Sequence, residues 1–579
     1  MHNYRTVKCD LLIIGSGAAG LRSAIEAHDG GVKDLIVIGK CKKGDAHTVL
    51  ATGGINAALG TMDPKDSWLI HAADTLREGG HIADYREVET LCKNAPDAVE
   101  ELVRWGARFH TEKDGRLTQR FFGAHTYRRT CFYGDQTGKE IMRVLIKQVE
   151  RRRIRFLGDI FIFSLLKDAG TISGAIGIDF QKGEMVVFNA KSVILAAGGY
   201  SKLYSRSSSR SYENHGDGAA LAFEAGVDLV GMEMVQFHPT GMVYPKSAQG
   251  TLVTEAVRGE GGILLNAKGE RFMRKYDPGH MELGPRDLVA RSIYLEIMKG
   301  NGTKHGGVWL DITGIPKAKI LDRLPKMYAQ FKELVGLDIS KEKMEVAPTA
   351  HYTMGGVDVS LKGATKIKGL FAVGETVGQI HGANRLGGNS LLETVVFGKI
   401  VGEEAARFAK GCKMQAISPD YIGKKMMQVV GYFGRDQVDI EKLRSRLQAS
   451  IWKHAGIARD AKSLKAGLSD LKSIRAEFDR VRVRGEFKGN LHLKMALEMG
   501  KMLDLCEVLL QSALARKESR CAHYRTDYPK RDDRRWKVNI IASKLNGGIV
   551  LKKRKVPAVK GKLNDALKAV EKTEHKLLE

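Results

Sequence analysis

The chain has 579 residues, 43% hydrophobic and 28% charged, with 12 prolines. That balance suits a globular protein of roughly three or four structural units with a large core, and excludes disorder over most of its length. The net charge of +26 is read as a solvated basic surface whose field favours anionic substrates; its aromatics are not interleaved with the basic runs, which weighs against nucleic acid.

In chain order, MHNYRTVKCDLLIIG holds no secretory apolar core, and CDLLII (9–14) reads as a buried strand closed by glycine. Gly15-Ser16-Gly17-Ala18-Ala19-Gly20 and the helical pattern LRSAIEAH follow, then a second strand in DLIVIGK (34–40), giving a βαβ unit. SVILAAGG (192–199) and LFAVGE (370–375) read as further strands of the same kind, the latter followed by a glycine-rich turn and the helix LLETVVFGKIVGEEAARFA. The pattern predicts one doubly wound domain holding both ends of the first 410 residues, with a second domain inserted between them. Residues 409–515 read as mostly helical, with Leu464, Leu468, Leu471, Ile474 and Phe478 on one face. Past Trp536 the chain turns lysine-rich and ends in LNDALKAVEKTEHKLLE, read as one exposed helix. No apolar run reaches the roughly 18 residues of a membrane span. Seven scattered cysteines without a CxxC pair argue against a disulfide framework, a zinc site or an iron–sulfur cluster within the chain.

GSGAAG, set between a strand and a helix, is the GxGxxG turn that lets a pyrophosphate approach a helix N-terminus. Gly39-Lys40 stands where a standard NAD site has its acidic residue; that counts against NAD, and Lys40 suits a phosphate or adenosine moiety. Asp217 in GDG is a candidate for a sugar hydroxyl, and Glu375 lies at a strand end where ligands sit in such sheets. The inserted region contributes His238, Thr254, Glu255, Arg258, Arg286, Asp287 and His351, and HGANRLGGNSLLE adds Arg385 and Ser390. Together these arginines, histidines and threonine suit a clamp for a dicarboxylate. No Ser-His-Asp arrangement or metal-ligand spacing competes.

The motifs HTVLATGGINAALG, QFHPTG, TEAVRGEGG, RDLVARSI, HYTMGG, HGANRLGGNSLLE and ESRCAHYRTDYP occur in that order between about residues 9 and 536. In them the sequence resembles the flavoprotein subunit of succinate dehydrogenase and fumarate reductase, in a family that includes L-aspartate oxidase. The resemblance implies an α/β fold: a doubly wound FAD-binding domain (1–232 and 355–408), an inserted α+β capping domain (233–354) and a helical C-terminal domain (409–536), ahead of a basic extension (537–579). It implies that Gly15, Ser16, Gly17, Ala18, Ala19, Gly20, Lys40, Gly53, Gly54, Asp217, Glu375, Ser390 and Leu391 bind FAD. His47-Thr48 matches the histidine joined covalently to the flavin. His238, Thr254, His351 and Arg385 are implied to hold the substrate carboxylates. Arg286 is implied to be the proton donor or acceptor, relayed through Glu255 and Arg258. The implied partners are an iron–sulfur subunit, with a membrane anchor behind it on the cytoplasmic side. Phe122 stands where aspartate oxidases carry a glutamate for the substrate ammonium, which disfavours that branch, as does His47. L-Aspartate oxidase and a thiol-linked fumarate reductase remain the alternatives. His215 departs from the threonine more usual before GDG.

Overall fold

The computed structural model describes residues 4–435 and 438–578. Strands Tyr4–Ile14 and Leu35–Ile38 pair in parallel, with Leu11 beside Leu35 and Ile14 beside Ile38. Their paired residues are apolar without alternation, as strands covered on both faces require. Helix Ala18–Asp29 crosses between them and packs against helix Asn389–Gly411. The other edge of Tyr4–Ile14 pairs in parallel with Glu184–Leu195. That strand's outer edge is shared: Thr171–Asp179 takes residues 184–189 antiparallel, and Leu370–Ala372 takes residues 193–195 in parallel. The end of the first domain is thereby stitched beside its beginning. The antiparallel pair Ile160–Asp168 and Thr171–Asp179 lies outside the sequence reading, because its buried IFIFSLL run carries no two-residue period.

A second, antiparallel sheet runs Val235–Met242, Met344–Thr353, Val308–Asp311, Ile263–Leu265. It carries its own apolar core, including Leu264, Met273, Val289, Leu310 and Val346. Helix Arg286–Glu296 packs on Val235–Met242. Helices Ile440–Ala455, Ala461–Phe478 and Leu491–Ala515 then pack together. Asp439, Asp460 and Asn490 cap their N-termini by accepting backbone N–H groups. Leu464, Leu471, Ile474 and Phe478 are buried, with Leu468 half-buried beside them.

The segment past Trp536 corrects the expectation of an exposed helix. Strand Val538–Leu545 pairs with Leu229–Val230 and carries Gly548–Lys555 on its far edge. Helix Gly561–Leu578 buries Leu563, Leu567 and Val570 against Ala72, Ala73, Leu76 and Cys92. These three residues at i, i+4 and i+7 make one apolar stripe, which the surrounding lysines obscured. Among the described residues no helix is long and apolar enough to cross a membrane.

Candidate active site

One continuous cleft opens where the C-terminal ends of the parallel strands meet the second sheet. Its first half is shaped by backbone. Gly15 has φ +123°, and a Cβ there would lie 2.0 Å from the Ala196 carbonyl oxygen; a Cβ on Gly20 would lie 2.0 Å from the Gly15 oxygen. Only glycine allows both approaches. Gly17 offers helix Ala18–Asp29 no side-chain cap, and Ala18 N–H donates to Thr48 Oγ1 at 3.2 Å. The positive end of that helix therefore faces the cleft beside Ser16 and Ala19, a ready pyrophosphate site. Ser390 and Leu391 sit in the first turn of a second helix aimed at the cleft, Asn389–Gly411. Gly54, at φ +139°, closes against Thr130, and Gly53 packs on the Phe122 ring.

Lys40 Nζ pairs with Asp217 at 2.7 Å and Glu498 at 3.0 Å, and lies 3.2 Å from His215 Nδ1. Burial opposes the charge on Lys40, but the two carboxylates more than offset it and hold the ammonium protonated. Asp217 Oδ1 and His215 Nε2 are buried without a partner among the described residues. Asp217 lines the cleft, and its unpartnered oxygen beside the glycine cradle fits a ribose hydroxyl of a dinucleotide. Glu375 Oε1 accepts from the Thr353 N–H at 3.0 Å, and burial pushes its carboxyl up to about 7. His47 lines the cleft with Nδ1 2.8 Å from Glu213 Oε1.

Side chains from distant segments shape the second half: Phe122, His238, Thr254, Glu255, Arg286, His351 and Arg385 all line it. Gly20 and Arg258 do not line the cleft; each stands one layer behind. Arg286 donates from Nε to Glu255 Oε2 at 2.7 Å and from Nη1 to Gln236 Oε1 at 3.2 Å. The other Glu255 oxygen accepts the Gly123 N–H at 2.8 Å. Burial works against ionising Glu255, yet Arg286 and Arg258 hold its carboxyl down to about 2. Arg258 Nη2 is 3.9 Å from that carboxylate, and its Nη1 donates to the Glu282 carbonyl. Arg385 donates from Nη2 to the same Gln236 oxygen at 3.1 Å and lies 4.6 Å over the Tyr352 ring. Burial first, then Arg286, brings Arg385 down to about 10, so it stays cationic at neutral pH.

His238 and His351 meet edge to face, 5.2 Å between ring centres. The Thr240 N–H lies 3.2 Å from His238 Nδ1, and Ser208 Oγ lies 2.8 Å from His351 Nδ1. Nδ1 of His238 also lies 3.0 Å from the Thr240 carbonyl oxygen, so each ring is anchored through its Nδ1. Burial, reinforced by neighbouring cationic and imidazole groups, holds both well below the usual histidine range, so both are neutral. Phe122, fully buried, presents a ring and no acid.

Sequence reasoning missed three residues. Gln236 joins the two cleft arginines; its place two residues before His238 on a strand, hence on the same face, was the available signal. Glu213 pairs with His47, and Glu498 reaches Lys40 from helix Leu491–Ala515; neither stood out in its own segment.

A doubly wound domain whose cleft joins a dinucleotide cradle to a cationic clamp defines an FAD-dependent oxidoreductase. A family model described as FAD binding domain matches residues 10–391, and one described as Fumarate reductase flavoprotein C-term matches residues 444–566. The chain belongs to the family of succinate dehydrogenase and fumarate reductase flavoprotein subunits. It is 44% identical over 93% of its length to a subunit of the fumarate reductase (CoM/CoB) of Methanothermobacter marburgensis, covering 97% of that protein. It is 35% identical to a succinate dehydrogenase flavoprotein subunit of Rickettsia bellii, with 97% of each chain covered. Mycobacterium smegmatis Sdh1, solved in complex with UQ1, superposes with a TM-score of 0.88 at 39% identity, with 98% of each chain covered.

Proposed function

We propose that this chain interconverts succinate and fumarate at FAD and exchanges the electrons with an iron–sulfur partner subunit. The observation that carries the reading is Arg286: a guanidinium lining the cleft, ion-paired to a buried carboxylate and flanked by Arg385, His238, His351 and Thr254. Bound FAD would supply hydride transfer, its dinucleotide part held by the glycine turn, Lys40, Asp217, Glu375, Ser390 and Leu391. Arg385, His238, His351 and Thr254 hold the two substrate carboxylates. That grip tightens as charge moves from the double bond onto a carboxylate, which is binding of the transition state over the ground state. Arg286 gives or takes the proton at the neighbouring carbon. A lone arginine does not deprotonate in water; here Glu255 and Arg258 line up behind it as the relay that restores the proton. His47 is the residue for a covalent link to the flavin.

The relatives named as subunits support a partner for electron exchange; we further propose an indirect association, through that partner, with the cytoplasmic face of a membrane. A second reading, a thiol-linked fumarate reductase, is favoured by the relative at 44% identity, whose name carries CoM/CoB. L-Aspartate oxidation is disfavoured because Phe122 would leave the substrate ammonium unpaired in a buried site.

The test is anaerobic flavin bleaching on the purified chain with succinate or L-aspartate, followed by reoxidation with fumarate. Bleaching by succinate alone and recovery with fumarate are expected. Bleaching by aspartate overturns the reading.

A further inference from the structure

The hydrogen bond that fixes the His47 ring comes from a residue outside the motifs shared with the family. Glu213 Oε1 sits 2.8 Å from His47 Nδ1. Glu213 is itself held rigidly. Its Oε1 accepts the Arg210 backbone N–H at 2.9 Å, and its Oε2 accepts Arg210 Nε and Nη2 at 3.1 and 2.8 Å. Arg210 also pairs with Asp45, two residues before His47, and the Tyr212 hydroxyl donates to the same Asp45 oxygen. Asp45, Arg210, Glu213 and His47 thus form one chain of ion pairs and hydrogen bonds along the cleft wall. Burial opposes charge on His47, but the Glu213 carboxylate on Nδ1 more than offsets it and raises the ring above the usual histidine range; when the ring is neutral, its proton stays on Nδ1 and its lone pair is on Nε2.

We propose that Glu213 is the positioning residue for flavin attachment: it orients the His47 ring toward the flavin and, as an ionised carboxylate, stabilises the positive charge the ring gains as its Nε2 forms the bond. The inference rests on the covalent reading of His47. In the step, the Nε2–carbon bond to the flavin's ring methyl forms as one C–H bond of that methyl breaks. The methyl hydrogen leaves as a proton, the Nδ1 proton is released to solvent once the bond is made, and the C–H electron pair remains on the flavin, which is left two-electron reduced. Fumarate, the oxidant of the proposed activity, takes that pair with two protons to become succinate and restores the oxidised, tethered flavin. Glu213 is suited electrostatically to stabilising a cationic ring. Burial opposes its charge, but His47 and Arg210 hold its carboxyl well below the usual range and keep it ionised.

The test compares wild-type, Glu213→Gln and Arg210→Lys proteins, each purified with its flavin. Total flavin is read by absorbance, and attached flavin by the mass and fluorescence of the denatured chain. Wild type is expected to keep its flavin on denaturation. Glu213→Gln is expected to bind a similar total with attachment slowed at least tenfold, while Arg210→Lys, which keeps the Glu213–His47 bond, attaches nearly normally. Attachment in Glu213→Gln at the wild-type rate overturns the inference and leaves the covalent reading standing. A wild-type protein that releases all its flavin overturns both. Should Glu213→Gln bind no flavin, Glu213→Asp decides: bound flavin attached several-fold more slowly supports the inference, and attachment at the wild-type rate overturns it.

Discussion

The two halves of the cleft are built by opposite means. The dinucleotide half is shaped chiefly by backbone: Gly15 and Gly20 fit because they lack a Cβ, and helix ends supply the field. The substrate half draws single side chains from Phe122, the Gln236–His238 strand, Thr254 to Arg258, Arg286, His351 and Arg385, and its shape is charge. Backbone cradles fail by steric clash, all at once. Buried charge clusters fail by degrees, because each removed partner leaves another group uncompensated.

That contrast can be broken deliberately. Arg286→Lys keeps a cation but loses the two-sided grip on Glu255 and Gln236; turnover with a viologen donor and fumarate should fall about 10³-fold or more, at unchanged flavin content. Retained turnover would refute the role given to Arg286. Gly15→Ala attacks the other half. Its Cβ collides with backbone, so the flavin-to-protein ratio should drop at least tenfold while the cap stays folded, read by absorbance and circular dichroism.

Glu375→Gln probes the seam, where a carboxyl of the main domain meets Thr353 of the cap. Because burial raises Glu375 to about 7, the flavin-free folded chain retains a proton that the unfolded chain sheds above about 4.5. Its cost is absent below pH 4.5, grows as pH rises, and levels off above 7 at roughly 3 kcal/mol. The variant's advantage in denaturant midpoint should follow that curve; a pH-independent difference would rule it out. Gln236→Leu is the mildest. It takes one shared acceptor from two arginines, and KM for fumarate should rise about tenfold with flavin binding untouched.

Legibility followed the same division. The βαβ unit, the glycine turn and the strands at 192 and 370 were readable because local periodicity and glycine placement carry them. The cleft arginines and histidines were readable only as a set, through motif order, since each alone resembles an ordinary polar residue. Gln236, Glu213 and Glu498 escaped because their meaning lies in a partner tens to hundreds of residues away. The Ile160–Asp168 arm escaped because a strand buried on both faces has no alternation. The helix Gly561–Leu578 escaped because three apolar residues were set among lysines.

That last helix bears on how the protein is made. It covers Ala72, Ala73 and Leu76, nearly five hundred residues earlier in the chain. The opposite face of the same early helix, Trp68–Glu78, holds Asn389 through His71 and Thr75, beside Ser390 at the cleft. During synthesis the early helix leaves the ribosome with its apolar strip bare, and the strip stays bare until almost the whole chain has emerged. The nascent protein therefore offers chaperones a long-lived hydrophobic handle.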